Sequence, residues 1–242
     1  MTLHQTLFLP ASSRKFKDFG FMQAYLSFKP DLAEERHSFG SLITIDDAIL
    51  KPGAKGFGLH SHQDVEVVTF VLQGEVKHID PNNPLHTGTL SAKGIQVITA
   101  GTGIVHNEEN NSADDELHAL QIWFKPRENA ITPSYAKKFL NAHDYTNRLT
   151  CILSPNGEND SLIVQQQAFI YYCLSNTNKT LSYEPHGESR RVFIYVIEGD
   201  VLINEKVLTK GDGYGILECE NVDLNIPPDT ELLLFDMVSY NL

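Results

Sequence analysis

Two short stretches of this chain occur twice. Val71-Leu72-Gln73-Gly74-Glu75-Val76 returns as Val196-Ile197-Glu198-Gly199-Asp200-Val201, and Leu90-Ser91-Ala92-Lys93-Gly94 returns as Leu208-Thr209-Lys210-Gly211. Internal duplication is the economical explanation, and it makes a scaffold of two similar units the first expectation. Each repeated stretch sets apolar and β-branched residues around a glycine, which reads as strand, turn, strand. A length of 242 residues accommodates one large β domain or two ordinary ones. The expected division is an N-terminal unit over residues 1 to 130 and a C-terminal unit over residues 131 to 242.

Other strands follow from the same signals. Residues 39 to 50 alternate and branch at Cβ (Leu42-Ile43-Thr44-Ile45) until Lys51-Pro52-Gly53 ends the run. Further strands are expected over residues 76 to 79, 95 to 99 and 117 to 124, and in the second half over 162 to 166, 169 to 174, 191 to 197, 201 to 203 and 232 to 235. Residues 14 to 40 read as short strands and loops. Tyr135-Ala136-Lys137-Lys138-Phe139-Leu140 is the best short-helix candidate and is taken as the connector. The expected class is all-β with that one short helical connector.

The function classes open to such a chain are narrowed by charge. With 31 acidic against 19 basic residues the formal net charge is −12, which opposes phosphate backbones and anionic lipid surfaces. Direct nucleic-acid binding is not expected. Cys151, Cys173 and Cys219 form an odd, widely spaced set that fits reduced thiols better than a disulfide framework. No apolar run approaches the roughly 20 residues a spanning helix needs, and residues 1 to 10 carry no export pattern, so a cytoplasmic protein is expected.

Two histidine signatures carry the chemistry: His60-Ser61-His62 and His106-Asn107-Glu108. On a strand, residues two apart share a face, so each signature is a two-toothed clamp for one ion. Imidazole nitrogens with a carboxylate suit a divalent first-row transition metal over calcium or magnesium. Iron is the first expectation, with nickel, copper, manganese or zinc as alternatives. Ten histidines in one chain will sometimes fall two apart by chance, but the second clamp and the glycines before it weigh against chance. Gly101 and Gly103 let the backbone turn tightly ahead of His106. Two carboxylates compete for the fourth place. Glu66 shares parity with His60 and His62, and Val68, Phe70 and Leu72 continue that parity as an expected barrel interior; Glu108 ranks ahead of it. His118 reads as packed or supporting rather than ligating, and His186 has no partner two residues away.

Gly56-Phe57-Gly58-Leu59-His60-Ser61-His62, the strand on to Gly74, and Ala100-Gly101-Thr102-Gly103-Ile104-Val105-His106-Asn107-Glu108 resemble the two cupin motifs in the form they take in pirin and pirin-like bacterial proteins. Leu120-Gln121-Ile122-Trp123 with Pro126 is similar as well. The resemblance is strong over residues 39 to 126 and weak beyond, as in a degenerate second cupin. It implies a bicupin, two antiparallel jelly-roll-like β-barrels in tandem with a metal in the first only. It implies His60, His62, His106 and Glu108 as the ligands, with Glu66 at a position other cupins use and pirins do not. Ser61, Gln63 and Glu109 depart from the usual pirin residues, and parity turns Glu109 away from the ligand face.

Several pirin-like proteins are similar to quercetin 2,3-dioxygenases, which cleave the flavonol ring with O₂ and release carbon monoxide. The resemblance therefore implies a small aromatic substrate and O₂, with Glu108 in a catalytic role as acceptor of the flavonol hydroxyl proton. It equally implies a rival: a metal-binding regulatory protein that engages a protein partner without turnover.

Overall fold

A computed structural model of the chain describes residues 5 to 28 and 37 to 238, so the part of the first loop region at 29 to 36 lies outside the described residues. A strand with one apolar face must bury that face against another layer, and here the strands close into two barrels, each of one seven-stranded and one four-stranded sheet. In the first barrel the large sheet runs Ser134–Phe139, Gly94–Thr99, Glu66–Gln73, Leu117–Phe124, Leu42–Leu50, Met22–Leu26 and Lys15–Asp18 in spatial order. Its small sheet runs His60–His62, Ile104–Asn110, Glu75–Ile79 and Gly88–Ser91. The second barrel repeats the plan: its small sheet runs Lys179–Tyr183, Val222–Ile226, Asp200–Ile203 and Lys206–Thr209. The duplicated stretches do the same job twice. Gly74 joins Glu66–Gln73 to Glu75–Ile79, and Gly199 joins Arg190–Glu198 to Asp200–Ile203, each passing from large sheet to small with positive φ.

Both barrels receive an edge strand from outside their main run of sequence. Thr6–Leu9 pairs with Gly213–Ile216 and so completes the second large sheet. Ser134–Phe139 pairs with Gly94–Thr99 and completes the first. The helix expected over residues 135 to 140 is therefore corrected to a strand. An open edge of unpaired N–H and C=O groups recruits that segment more strongly than its local helix propensity resists. The connector does contain a helix, a single turn at Ala142–Tyr145.

The two large sheets pack face to face. Val68, Phe70 and Phe124 from the first meet Ile170, Tyr172 and Phe235 from the second in one buried cluster, with Phe70 and Tyr172 ring centroids 5.0 Å apart. This overturns the expected parity. The even positions after Glu66 face the other barrel, whereas Val67, Thr69 and Val71 face their own barrel's interior. The reason is local: His60–His62 lies in the small sheet, and the crossing to the large one passes through Asp64, whose φ of 49° resets which side points in.

Glu66 follows its strand to the interface and is fully buried there. Its Oε2 accepts hydrogen bonds from Thr99 Oγ1 at 2.9 Å and from the Gln165 amide at 3.2 Å, while Oε1 has no partner. Burial pushes its pKa from 4.5 up to about 7, against those two donors. A native pKa above the unfolded one means the folded state holds the extra proton. Stability from this group is therefore full below pH 4.5, falls as pH rises, and levels off above pH 7. Glu66→Gln is expected to raise the melting temperature at pH 8, by at most about 3 kcal/mol of stability, and to leave it unchanged at pH 4.5. Thermal denaturation at the two pH values checks this, and metal content should not change.

The second barrel has a packed interior. Strands Lys179–Tyr183 and Val222–Ile226 hold the sheet positions of His60–His62 and Ile104–Asn110, and their inward residues Tyr183, Leu224 and Ile226 belong to a continuous core with Val192 and Ile194. All three cysteines are buried free thiols, pushed by burial to about 11. Among the described residues no helix is long and apolar enough to cross a membrane.

Candidate metal centre

The first clamp is placed by strand pairing. His60–His62 runs antiparallel to Ile104–Asn110 with His60 directly opposite His106, so three imidazoles point off one face. Their ligand nitrogens lie within 4.8 Å of one another, and among the described residues they form the one such group of metal-binding side chains. Ring centroids stand 4.6 to 4.9 Å apart. The backbone that brings the motifs together needs glycine at Gly56, where a Cβ would stand 2.1 Å from the Glu108 carbonyl oxygen. Gly101 and Gly103, at φ of 47° and 137°, make the turn that sends the chain back to His106.

Hydrogen bonds determine which nitrogen His60 and His106 offer. His60 Nδ1 lies 2.8 Å from the Gly58 carbonyl and must donate to it, leaving Nε2 free. His78 Nδ1 likewise donates to the His86 carbonyl at 2.6 Å, so His78 Nε2 is an acceptor, and it lies 3.0 Å from His106 Nδ1. His106 therefore donates from Nδ1 and keeps a lone pair on Nε2. That atom is fully buried with no partner in the protein. An orphaned lone pair facing two other imidazoles fits a cation. Burial, and then His60, holds His62 down to about 4; burial, and then His78, His60 and His62, holds His106 down to about 3. Both rings are neutral donors across the physiological range.

Glu108 shares the face of His106 but stands outside the three-histidine group. Its Oε1 accepts from Gln96 Nε2 at 2.6 Å and Thr69 Oγ1 at 3.0 Å, and its Oε2 accepts from Gln121 Nε2 at 2.7 Å. Tyr135 supports this cradle by donating to Gln96 Oε1 at 3.0 Å and by stacking on His78 at 4.8 Å. Glu109 turns outward to Lys55, as its parity requires. His118 lies on the interface side, 2.6 Å from Asp47, and His186 stacks on Phe169 in the second barrel. Neither approaches the centre.

The support around the histidines is hidden from sequence reasoning. His78 has no histidine two residues away, and only the pairing of Glu108 with His78 across two strands brings it here. Gln96, Gln121 and Thr69 come from three further strands. Replacing His78 with phenylalanine is expected to keep the stacking on Tyr135 while removing the acceptor for His106. Metal affinity should fall 10- to 100-fold, as for other supporting partners of ligand histidines, measured by competition with a chelator.

His60 and His62 line a cavity of about 300 Å³, together with Trp123, Gln121, Thr69 and Glu108 and, beyond these, mostly apolar side chains. Phe57 lines it too and packs edge-on against Phe19 and Phe21 at 5.2 and 5.1 Å. Comparison with known proteins places this geometry. Residues 5–124 match the family Pirin, and residues 151–237 match the Quercetinase C-terminal cupin domain. Over 199 residues the chain is 35% identical to the quercetin 2,3-dioxygenase of Escherichia coli (strain K12), covering 82% of this chain and 83% of that one. The chain belongs to the pirin family. Its structure superposes on the bacterial pirin YhhW of Escherichia coli, solved in complex with nickel(II), with a TM-score of 0.90 and 31% identity over 98% of this chain and 100% of that one. A pirin-like protein of Caulobacter vibrioides is 28% identical over 90% of this chain and 94% of its own. This pirin is thus a bicupin, with a three-histidine cluster in the first barrel.

Proposed function

We propose that the first barrel is a metal-dependent dioxygenase that cleaves flavonol-like phenols with O₂. The observation that carries this reading is the three-histidine cluster, in which His106 Nε2 is buried and unpartnered and His60 and His62 line an apolar cavity, beside a carboxylate oriented by three donors. The relative named quercetin 2,3-dioxygenase supports it. His60 through Nε2, His62, His106 through Nε2, and Glu108 would hold one divalent transition ion. Iron and nickel both suit such a set, and the related YhhW structure contains nickel(II). Bound there, the ion supplies Lewis acidity toward a substrate hydroxyl.

The protein's own groups do the rest. Glu108 Oε2 receives a single donor, so it retains a lone pair for the flavonol hydroxyl proton. Gln121, Gln96 and Thr69 hold the carboxylate in place before the substrate arrives, so little reorganisation is needed. Trp123, packed 5.0 Å from His62, and the aliphatic walls exclude water from the electron-rich ring that O₂ attacks. A cavity whose polar lining, Lys17 apart, lies toward the histidines favours turnover over the rival regulatory reading, for which a closed centre beside an exposed apolar patch is the expected form. Three buried thiols without a disulfide support the cytoplasm as the setting. Under anaerobic conditions, metal-loaded protein should shift the quercetin absorption band to the red as the hydroxyl loses its proton. An unshifted band with bound quercetin would contradict the proposal.

A further inference from the structure

Within the same cavity, three alanines stand in one row. Ala24 is directly opposite Ala48, and Ala48 is directly opposite Ala119, on three adjacent strands of the large sheet. All three line the cavity. Direct partners in antiparallel strands project from the same face, so the row makes a flat shelf three strands wide. One step nearer the metal centre on the same strands stand Gln121 and Asp46, and beyond Gln121 lies Trp123 against His62. Two residues along a strand cover about 6.8 Å, roughly the width of one aromatic ring. The shelf is therefore one ring's breadth from the groups that meet the substrate hydroxyl.

A shelf of methyl groups offers no hydrogen bond. Its continuation on the edge strand is Lys17, directly opposite Ala24 and exposed to solvent, so polar contact returns only at the outer end. Resting on the dioxygenase reading above, we infer that this shelf seats the phenyl ring of the flavonol and selects substrates whose phenyl ring carries few hydroxyls. That ring is bonded to the carbon next to the hydroxylated one, which matches the one-ring offset. A hydroxyl pressed against alanine loses its water without replacement, a penalty large enough to weaken binding about tenfold per group. A single hydroxyl at the ring's far tip reaches the Lys17 end and stays hydrated. Alanine also sets the space: any longer side chain on the shelf fills the volume that the ring needs.

The test uses four flavonols that share one fused-ring system and differ only in the phenyl ring: galangin with no hydroxyl there, kaempferol with one, quercetin with two and myricetin with three. Dissociation constants on nickel-loaded, full-length protein under anaerobic conditions should rank galangin and kaempferol at least tenfold tighter than myricetin, with quercetin between. Ala48→Leu should weaken galangin binding at least tenfold while metal content and the affinity for 4-nitrocatechol, a one-ring phenol that spans only the metal end, change by less than about threefold. Ala119→Leu should act the same way, which guards against a folding defect peculiar to one site. The inference is overturned by a flat or reversed ranking, or by equal losses for galangin and the one-ring phenol. Failure of every flavonol to bind would instead remove the dioxygenase reading on which it rests.

Discussion

His106→Ala is expected to take the metal content of the purified protein from about one ion per chain to none measurable. The imidazole donates from Nδ1 to His78 and presents a buried Nε2 that nothing in the protein satisfies, so on the proposed reading its removal deletes an already oriented ligand. The loss should exceed the 10- to 100-fold expected when only a supporting partner such as His78 is changed. His60→Ala should behave alike, since His60 Nε2 faces the same point across the paired strands. His186→Ala should leave metal content unchanged. In the second barrel Tyr183, Leu224 and Ile226 stand on the strands equivalent to those that carry His60, His62 and His106 and pack into the core, while His186 lies against Phe169 with ring centroids 3.6 Å apart. Elemental analysis of the three variants separates these outcomes, and metal loss on His186→Ala would put a second ion in the second barrel.

Glu108→Gln should reduce turnover far more than it reduces metal content. Glutamine keeps the size and one oxygen, which Gln96 and Thr69 can still address, but it loses both the charge and the basicity of the oxygen that faces Gln121. Loss of a general base costs about 10²- to 10⁴-fold in rate, and that is the fall expected per metal-loaded site on quercetin under air. Aspartate at this position should recover part of the rate where its shorter reach still meets the hydroxyl. Equal turnover in wild type and Glu108→Gln at equal metal content would assign the base elsewhere. Tyr135 is a poor substitute, because burial and the nearby Glu108 push its phenol up to about 12.

The parts of this architecture legible in the sequence are those carried by contiguous residues. The duplicated Gly74 and Gly199 stretches, the spacing of His60 with His62 and of His106 with Glu108, and the second copy without such a clamp are all local patterns, and the structure bears out the two similar β units they implied and the bicupin fold that the resemblance to the cupin motifs implied. Features that depend on where strands meet are not legible. Parity read straight from His62 to Phe70 fails, because the left-handed turn at Asp64 hands the chain to a different sheet and reverses inside and outside. That reversal also takes Glu66 away from the histidines to the barrel interface. Residues 135 to 139 lack a strand signal of their own and form one because Gly94–Thr99 offers an open edge. His78, Gln96 and Gln121 reach the centre only through cross-strand register, which no spacing rule encodes.

The dioxygenase reading is tested most directly by stoichiometry during turnover. Protein loaded separately with iron, nickel, copper or manganese is mixed with quercetin in air-saturated buffer, and O₂ uptake and carbon monoxide release are followed together. With at least one of these metals, one O₂ should be consumed and one carbon monoxide released per quercetin lost, at a rate proportional to bound metal and absent in His106→Ala. Wild-type protein that binds metal and quercetin yet consumes no O₂ with any of the four would contradict the account and leave the regulatory reading in its place.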